Sequence, residues 1–487
     1  MIPLKLAIIG AGPSSFYVAS RLLSLFPHGS SQLKIHMYDR LWAPHGLVRY
    51  GVAPDHPEVK NCTHKFDQAA ADPRLRFFGN VNIGASPPPS IPHALHIPLS
   101  SLLSHYTHLL FATGCTVPTL HPALPPSSHV IPALSVVHWY TQHPSRPPVP
   151  ALDQVSHVSL IGQGNVSLDV ARMLLTSPSI LEKYDVPESV LDVLRRSTVK
   201  HISIIGRRGP LQAAFTTKEL REMMNLTEAS MVPLDPSLLV PQENVKPTRQ
   251  QSRTLQLLGK GSALAYGTTP KTWSLDFFCS PIGITPSTDS TSSRLMVAHT
   301  VLDNSGRAVP TGAISAIDTD LVITALGHHA DPSQTFYDPT LGHIRTASGR
   351  VIDEAGHARR NVYASGWAAM GAHGVLASTM MDAYAVADTI LSDHFSGTTQ
   401  TMSSTPVQSD SLEYGDDLMA KDVDIESLPR EVEDGIKEKK VMEYNEWKVV
   451  DAEEVRIGQL KGKERERMEW EDVGEVISTT SLLHRET

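Results

Sequence analysis

LKLAIIGAGPSSFYVASRLLSLF (Leu4–Phe26) and VSHVSLIGQGNVSLDVARMLL (Val155–Leu175) share one pattern. Each begins with an apolar run typical of a buried strand, continues through a glycine-rich turn and ends in a helix-forming segment. A further strand follows each helix, in LKIHMYD (Leu33–Asp39) and in VKHISIIGRR (Val199–Arg208). This strand–helix–strand order predicts an α/β protein with parallel, doubly wound sheets. The chain is therefore expected to carry two dinucleotide-binding units.

The second unit is predicted to be inserted into the first. Apolar strands end at Gly114 in SLLSHYTHLLFATG and at Gly327 in TDLVITALGH, and we expect the chain to cross between the units just after them. After Leu391 the composition becomes Ser/Thr-rich and then acidic, which is typical of a linker. The predicted division is a first unit at 1–117 and 331–395, a second unit at 118–330, a flexible acidic linker at 396–440, and a C-terminal segment at 441–487 that packs on the first unit.

Composition excludes several classes of redox protein. The chain has 487 residues, a net charge of −9 and three cysteines, Cys62, Cys115 and Cys279. They form no Cys-x-x-Cys pair, so a redox-active dithiol and a cysteine-bound iron–sulfur cluster are excluded, and no metal-ligand cluster is expected. The acidic balance gives no nucleic-acid footprint. No apolar run reaches membrane-spanning length, and a strand that starts at Leu4 leaves no room for a cleavable presequence in the chain as written.

The first glycine turn, Gly10–Ser15, has residues that suit a dinucleotide pyrophosphate. Gly10 permits a tight turn, Gly12 permits close approach of the backbone to phosphate, and the helix N-terminus offers free N–H groups. Asp39 ends the next strand, where its carboxylate can accept hydrogen bonds from ribose hydroxyls. The usual third glycine is replaced by Ser15, so an ordinary strand–helix turn is the alternative. The complete order of strand, turn, helix, strand and terminal acid favours nucleotide binding.

The second glycine turn, Gly162–Ser167, repeats this arrangement. The strand that follows ends in Gly206–Arg208, two arginines at a place where an NAD site has an acid. Guanidinium groups suit a 2′-phosphate, which favours NADPH. The alternative is a solvated surface pair of arginines.

Several longer segments resemble the adrenodoxin/ferredoxin–NADP reductases. They are LVRYGVAPDHPEVKN (Leu47–Asn61), GQGNVSLDVAR (Gly162–Arg172), GRRGPLQAAFTTKELREM (Gly206–Met223), SGW and GVLASTM within Ser365–Met381, and VDAEEVRIGQLKGK near the end. The resemblance covers most of residues 4–395 and resumes near Trp447. It implies a glutathione-reductase-like flavoprotein that binds FAD and NADPH, in which the second unit is an NADP domain inserted into an FAD domain.

The resemblance also implies which residues bind the cofactors. Those that match FAD contacts of the family are Ser14, Asp39, Leu47, Ile83, Trp367, Gly374, Val375 and Leu376. Gly10, Gly12 and Pro13 of the first glycine turn, and Gly366 beside Trp367, are assigned to the same cofactor. Those that match NADP contacts are Gln163, Gly164, Asn165, Val166, Arg207, Arg208 and Glu219. In the family, Gly374 lies close to both cofactors.

The implied activity is electron transfer from NADPH through FAD, one electron at a time, to a small acidic [2Fe–2S] ferredoxin of the adrenodoxin type. Such a ferredoxin feeds mitochondrial P450, haem or iron–sulfur pathways. A flavin can join a two-electron donor to a one-electron acceptor, and this chemistry belongs to the cofactor. His56 and Asp169 are the candidate catalytic residues, because family members place these positions beside the flavin–nicotinamide contact. We expect His56 to modulate flavin protonation and Asp169 to help position it; the alternative is a structural role for both.

The ferredoxin is expected to dock on a basic patch, since small ferredoxins are acidic and complementary charge speeds and orients encounter. The residues that match docking positions of the family are Arg221, Arg249 and Arg253. The family usually has a Lys-Arg pair between the positions of Trp367 and Gly374, where this chain has Ala368–His373. The resemblance further implies a mitochondrial protein on the matrix side, peripheral on the inner membrane. Because the family also has bacterial members, a cytoplasmic location is the alternative.

Other functions are compatible with two nucleotide sites. An NADPH-dependent flavin monooxygenase is one alternative, and a non-catalytic nucleotide-sensing interaction protein is another. A thioredoxin-reductase-like enzyme needs the absent Cys-x-x-Cys pair, and a glutamate-synthase small subunit needs a cysteine-rich cluster domain. The chain has both glycine turns and the arginine pair, which favours the reductase over a non-catalytic protein.

Overall fold

Two mainly parallel sheets form the framework of the computed structural model, which describes residues 3–26, 32–241, 246–286, 293–400, 418–420 and 423–483. The described strands are β1 (Leu4–Ile9), β2 (Leu33–Tyr38), β3 (Leu75–Gly79), β4 (Val81–Ile83), β5 (Leu95–Ile97), β6 (His108–Phe111), β7 (Val117–Pro118), β8 (Val130–Pro132), β9 (His157–Ile161), β10 (His201–Ile205), β11 (Ala229–Met231), β12 (Lys271–Asp276), β13 (Cys279–Pro286), β14 (Ser293–Leu302), β15 (Ala308–Thr319), β16 (Leu321–Thr324), β17 (His328–His329), β18 (Tyr337–Asp338), β19 (His343–Ile344), β20 (Thr346–Ala347), β21 (Arg350–Ile352), β22 (Ala358–Ala364) and β23 (Met442–Glu443).

Helices cover the sheets and connect their strands. The described α-helices are α1 (Pro13–Leu25), α2 (Leu47–Tyr50), α3 (Thr63–Ala70), α4 (Leu99–Leu103), α5 (Ala133–Tyr140), α6 (Asn165–Leu175), α7 (Pro178–Leu181), α8 (Glu188–Arg195), α9 (Thr217–Met224), α10 (Arg249–Lys260), α11 (Trp367–Met370), α12 (Leu376–Gln400), α13 (Arg430–Lys437), α14 (Tyr444–Leu460) and α15 (Trp470–Leu483). Short 3₁₀ helices lie at Pro57–Cys62, Leu152–Gln154, Pro210–Gln212 and Pro236–Leu239. None of the described helices is both long and apolar enough to cross a membrane.

The first sheet has the strand order β20-β21-β22-β6-β1-β2-β3-β23, and its strands from β22 to β3 are parallel. All residues of the central strand β1 are buried, because both of its faces are covered. Leu6 and Ile8 lie in the core formed with α1, α3 and α12, whereas Ala7 and Ile9 lie in the core formed with α4 and α13. β1 pairs with β2 on one side and with β6, a strand much later in the chain, on the other, so the strand order changes direction at β1. A crevice for a ligand therefore opens at the carboxyl end of β1.

The second sheet has the order β11-β12-β10-β9-β16-β8, and all its pairings are parallel. Its strands come from Val130–Thr324, between β6 and β20 of the first sheet. The two crossings lie side by side, because β7 and β17 pair antiparallel with Val117 opposite His329. The predicted fold class, an α/β protein with one dinucleotide-binding unit inserted into another, is confirmed. The limits proposed for the units stay predictions.

A three-stranded antiparallel sheet, β13-β14-β15, belongs to the second unit and was not predicted. β13 follows β12 with little intervening chain, and β14 pairs with β13 on one side and β15 on the other. The outer strand β15 is mostly exposed. No nucleotide motif marks these strands, so the motifs that predict the two parallel sheets do not predict this one.

The region predicted as a flexible linker, 396–440, is corrected in part by the structure. Helix α12 continues to Gln400, and much of the rest, 401–417 and 421–422, lies outside the described residues. Residues 423–440 are not an extended linker: they include α13, whose Val432 is fully buried in the first unit. Lys5, itself buried on β1, donates hydrogen bonds of 2.7 Å to the backbone oxygens of Asp424 and Ser427. Because the composition of this stretch is acidic, the few apolar residues that pack on the first unit, such as Val432, did not indicate a folded segment.

The C-terminal segment contacts both units. β23 extends the first sheet by pairing antiparallel with β3. Arg49 of α2 donates hydrogen bonds of 3.0 and 2.7 Å to the buried carboxylate of Glu454 on α14. Arg467 donates two hydrogen bonds, of 2.8 and 2.6 Å, to Asp185 in the second unit. Lys60 of the first unit lies 2.9 Å from the same carboxylate. The sequence prediction included only the packing on the first unit.

Candidate functional site

The first glycine loop joins β1 to α1 at the carboxyl edge of the first sheet. Gly10 has a φ of +102°, and a Cβ there would lie 2.4 Å from the backbone oxygen of Ala112, so only glycine fits. Gly12 caps α1, and a Cβ on it would meet nothing within 4 Å. Pro13 is the first residue of the helix, where its missing N–H costs nothing. The N-terminus of α1 is therefore open to an anionic group.

Serine in the third place of each glycine loop has the same structural role. The Ser15 hydroxyl donates a hydrogen bond of 2.6 Å to the carbonyl oxygen of Gly10, and the Ser167 hydroxyl donates one of 2.6 Å to that of Gly162. Each hydroxyl thus holds the first glycine of its loop onto the following helix. The sequence showed the two serines but not this shared contact.

Asp39, predicted to bind ribose, is buried and braces the first loop. Its Oδ2 accepts a hydrogen bond of 2.6 Å from the N–H of Ala11, and its Oδ1 accepts one of 2.8 Å from the N–H of Leu41. Burial raises the pKa of this carboxyl, against the lowering effect of the two N–H groups. Asp39 also lines a cavity of about 180 Å³ with Gly10 and Ile83. The predicted ribose contact stays a prediction.

The end of β22 meets the beginning of α1. The hydroxyls of Ser14 and Ser365 are 2.6 Å apart, and a Cβ on Gly366 would lie 2.7 Å from Cβ of Ser14. Oδ2 of Asp382 accepts hydrogen bonds from Ser365 and from the N–H of Gly366. This contact brings the predicted Ser14 and Gly366 together at the open edge of the sheet.

Apolar side chains are exposed around the same edge. Gly46, the residue before Leu47, lies close to Gly12, since a Cβ on Gly46 would be 3.1 Å from the Gly12 Cα. Leu47 itself is 40% exposed, and Val375 is 62% exposed. Three more residues predicted to bind FAD lie in the same part of the chain as Val375. The Nε1–H of Trp367 donates a hydrogen bond to the backbone oxygen of His373, Gly374 has a φ of +84°, and Leu376 is the first residue of α12. Exposed apolar groups beside an open helix end fit a bound aromatic ring system.

The second glycine loop repeats the first. Gly162 has a φ of +121°, and a Cβ on it would lie 2.3 Å from the backbone oxygen of Ala325; Gly164 caps α6 and has nothing within 4 Å of its Cβ position. Gln163 donates to the oxygen of Ile204, and the side-chain oxygen of Asn165 accepts from the N–H of Thr216. Val166 packs against the core of the second unit. Gln163 and Asn165 thus shape the loop through their side chains.

Three side chains near the second loop have unused hydrogen-bonding capacity. Arg207 and Arg208 are exposed after β10, and neither guanidinium has an ion-pair partner in the part of the chain that the structure describes. Glu219 on α9 is half-buried, and its Oε2 is a buried atom without a described partner. Exposed cations beside an open helix N-terminus fit a phosphorylated nucleotide.

The candidate catalytic residues lie in one ionic cluster between the units. Nε2 of His56 is 2.8 Å from Oε2 of Glu222 on α9. Oδ1 of Asp169 is 2.9 Å from Nη1 of Arg172, one turn later on α6. Burial raises the pKa of Asp169, while Arg172 acts against that rise. The structure therefore brings His56 and Asp169 to the same cluster, which also contains Arg172 and Glu222, two residues that no sequence motif predicted.

The predicted docking arginines lie on neighbouring helices. Arg249 and Arg253 are exposed one turn apart on α10, and Arg221 is half-buried on α9, which packs beside α10. Among the described residues, no group of three or more His, Cys, Asp or Glu side chains could hold a metal ion.

Two parallel sheets, each with an open glycine loop, and an arginine pair at the second loop define a pyridine-nucleotide-dependent oxidoreductase with two dinucleotide-binding domains. No family model matches the chain. It is 35% identical to bovine "NADPH:adrenodoxin oxidoreductase, mitochondrial", a match that covers 95% of this chain and 90% of the relative. It is 33% identical to "NADPH-ferredoxin reductase FprA" of Mycobacterium tuberculosis, over 80% of this chain and 84% of the relative. The crystal structure of that FprA in complex with NADPH superposes with a TM-score of 0.79, at 29% identity over 98% of this chain and 99% of the other. The chain belongs to the NADPH:adrenodoxin oxidoreductase family, which confirms the resemblance described above.

Proposed function

We propose that the protein is an FAD-containing reductase that takes electrons from NADPH and passes them singly to a small [2Fe–2S] ferredoxin. The observation that carries this proposal is the pair of open glycine loops in one chain, of which the second has Arg207 and Arg208 beside it, neither of them paired with a described acidic residue. When bound, FAD supplies the exchange of electrons in pairs with NADPH and singly with an iron–sulfur partner. The protein contributes binding, orientation and exclusion of water.

The first unit would hold FAD. Gly12, Pro13 and Ser14 present the N-terminus of α1 to the pyrophosphate, and Asp39 holds that loop in position by accepting a hydrogen bond from the N–H of Ala11. The exposed apolar groups at Leu47 and Val375 offer contact to an aromatic ring. The other residues assigned to this site are Gly10, Ile83, Gly366, Trp367, Gly374 and Leu376.

The second unit would hold NADPH. Gly164 presents the N-terminus of α6 to the pyrophosphate, and Arg207 and Arg208 would bind the 2′-phosphate. Glu219 has a buried oxygen ready to accept a hydrogen bond. The other residues assigned to this site are Gln163, Asn165 and Val166.

His56 and Asp169 would act where the two sites meet. The His56 ring is oriented by Glu222, so it can hold or release a proton at its other nitrogen, Nδ1. Asp169 stays close to Arg172, which favours its charged form. His56 couples the loop after α2 to α9 through Glu222, whereas Asp169 contacts Arg172 within α6. For both residues, a structural role and a chemical role share the same contacts.

The ferredoxin would dock on α9 and α10, through Arg221, Arg249 and Arg253. Between Trp367 and Gly374 this chain offers Met370, which is 58% exposed, where the family has a Lys-Arg pair. We expect the charged part of the contact to rest more heavily on α10 for this reason.

The first test is reduction of cytochrome c by the purified protein, with NADPH or NADH and with or without an added [2Fe–2S] ferredoxin. A yellow protein whose activity requires both NADPH and ferredoxin supports the whole proposal. If NADPH is oxidised rapidly at a rate that does not depend on ferredoxin, the assignment of the two nucleotide sites is kept, but ferredoxin is refuted as the electron acceptor. The relatives give no support to the monooxygenase or to the nucleotide-sensing alternative.

We also place the protein in mitochondria, because the bovine relative is mitochondrial. A peripheral position on the matrix side of the inner membrane is the finer proposal. Cell fractionation followed by carbonate extraction tests both, since a peripheral protein is released by carbonate and an absent mitochondrial signal refutes the location.

A further inference from the structure

Arg172 is a buried cation that faces three carboxylates from three segments of the chain. Its Nε and Nη2 donate hydrogen bonds of 2.6 and 3.0 Å to the two oxygens of Asp55. Its Nη1 lies 2.9 Å from Asp169 and 3.4 Å from Glu222. Only 5% of its side chain is exposed. A planar, two-nitrogen contact of this kind fixes direction as well as distance.

The Asp55 contact spans the two units. Asp55 precedes His56 in the segment between α2 and the 3₁₀ helix Pro57–Cys62 of the first unit, whereas Arg172 lies on α6 of the second unit. We call the pair of hydrogen bonds from Arg172 to the two oxygens of Asp55 the fork. Because Asp55 and His56 are adjacent in the chain, the fork also determines where the His56 ring can contact Glu222. One guanidinium thereby fixes this segment against both α6 and α9.

Charge makes Arg172 hard to replace. Burial disfavours the ionised carboxyl of Asp55, but the hydrogen bonds and charge of Arg172 hold its pKa below the usual value. Nη1 is buried and makes no aligned hydrogen bond to a described residue, although two carboxylates lie close to it. Without the cation, Asp55 and Asp169 would lose the ion-pair partner that they share, and Glu222 would keep only Lys218, at 3.9 Å, and the His56 ring.

We infer that Arg172 is a positioning residue for hydride transfer, which holds the His56 segment of the first unit in register with α6 and α9 of the second. This inference rests on the proposed function. Arg172 acts through Asp55 and His56 and needs no contact with either cofactor. Its loss should change the alignment of the two sites more than the affinity of either one.

The test compares Arg172→Lys, which keeps the charge but loses the fork, with Asp55→Asn, which is isosteric and removes the fork from the other side. The control is Arg350→Lys, because Arg350 makes a similar fork to Asp393, at 2.8 and 2.6 Å, within the first unit. Single-turnover reduction of the bound flavin by NADPH should slow by about 100-fold in the first two variants, as expected for a misplacement of about 1 Å. The dissociation constant for NADP⁺ should change by less than about threefold, since Arg207 and Arg208 are untouched.

A second readout does not depend on activity. Amide hydrogen exchange in residues 53–62 should speed up in Arg172→Lys and Asp55→Asn and stay unchanged in Arg350→Lys. Normal flavin reduction in both variants, unchanged exchange in 53–62, or equal slowing in Arg350→Lys each overturns the inference. If the unmodified protein does not reduce its flavin with NADPH, the proposed function itself fails, and that result is separate because it requires no variant.

Discussion

At the first residue of each glycine loop, backbone occupies the place where a side chain would stand. A Cβ on Gly10 or on Gly162 would lie within 2.4 Å of a carbonyl oxygen at the end of the neighbouring parallel strand. The second glycines, Gly12 and Gly164, instead have open space in front of them. The first glycine therefore serves the packing of the sheet, and the second leaves room for a ligand.

The arginines after β10 carry a prediction at this scale. Replacing both Arg207 and Arg208 by Gln should raise the KM for NADPH by about 10- to 100-fold, because a charge-assisted hydrogen bond contributes about 1.5–3 kcal/mol. The KM for NADH should stay nearly constant, since NADH has no 2′-phosphate to lose. Steady-state kinetics with both nucleotides measures this. Arg294→Gln, at an exposed site paired with Asp318, is the control, and equal effects on the two nucleotides would refute the phosphate assignment.

Motif residues were predictable, and their distant partners were not. The glycines of both loops and the arginine pair follow from short-range turn chemistry and local charge, which a linear sequence shows. Glu222 and Arg172 meet His56 and Asp55 across more than 100 residues, so their pairing depends on how the two units assemble. The segment around α13 was not predicted for a related reason: the few apolar residues in this acidic stretch, such as Val432, are buried only once the segment packs on the core of the first unit.

Among the elements, α10 is the one whose exposed face carries the proposed docking charge. Reversing Arg249 and Arg253 to Glu should raise the ferredoxin concentration that gives half-maximal cytochrome c reduction by about tenfold or more, most strongly at low salt. NADPH-to-ferricyanide transfer should be unchanged, because a small acceptor does not need the patch. Arg430→Glu on α13, also highly exposed, is the matched charge reversal. Loss of both activities together would instead show that α10 serves the fold.

The buried amine of Lys5 helps to hold the segment around α13 on the first unit. Lys5→Met should expose residues 423–440 to protease, because the backbone oxygens of Asp424 and Ser427 lose their donor. Limited proteolysis with identification of the cut sites measures this. Lys34→Met is the control, since Lys34 pairs with the exposed carboxylate of Glu426. Equal protection in all three proteins would contradict the anchoring role of Lys5.

For the whole molecule, Asp185 is where the first unit, the second unit and the C-terminal segment meet. Asp185→Asn should lower the free energy of unfolding by about 3–5 kcal/mol, because the buried Arg467 and Lys60 would lose the carboxylate with which both form ion pairs. Denaturant titration measures the change. Asp388→Asn, in an exposed pair with Arg21, should leave stability nearly unchanged.

The same carboxylate predicts an acid dependence. Burial raises the pKa of Asp185, but Arg467 and Lys60 overcome this and hold it well below 3.8, and the pKa of Asp451 is lowered to about 2 in the same way by Arg465 and Lys448. A carboxylate with a lowered folded pKa stabilises the protein above its unfolded pKa of about 4 and loses that contribution as the pH falls. Stability should therefore drop between about pH 4 and pH 2, less steeply in Asp185→Asn; parallel acid curves would refute the link.

The pairing of β7 with β17 places the two ends of the inserted unit next to each other. Paired strands are about 4.8 Å apart, so a host chain without the insert could close the gap with a tight turn. Neither half is stretched or threaded by the presence of the other. A protein with only the first dinucleotide-binding unit could therefore acquire the second by a single insertion of coding sequence, without rearrangement of its own sheet.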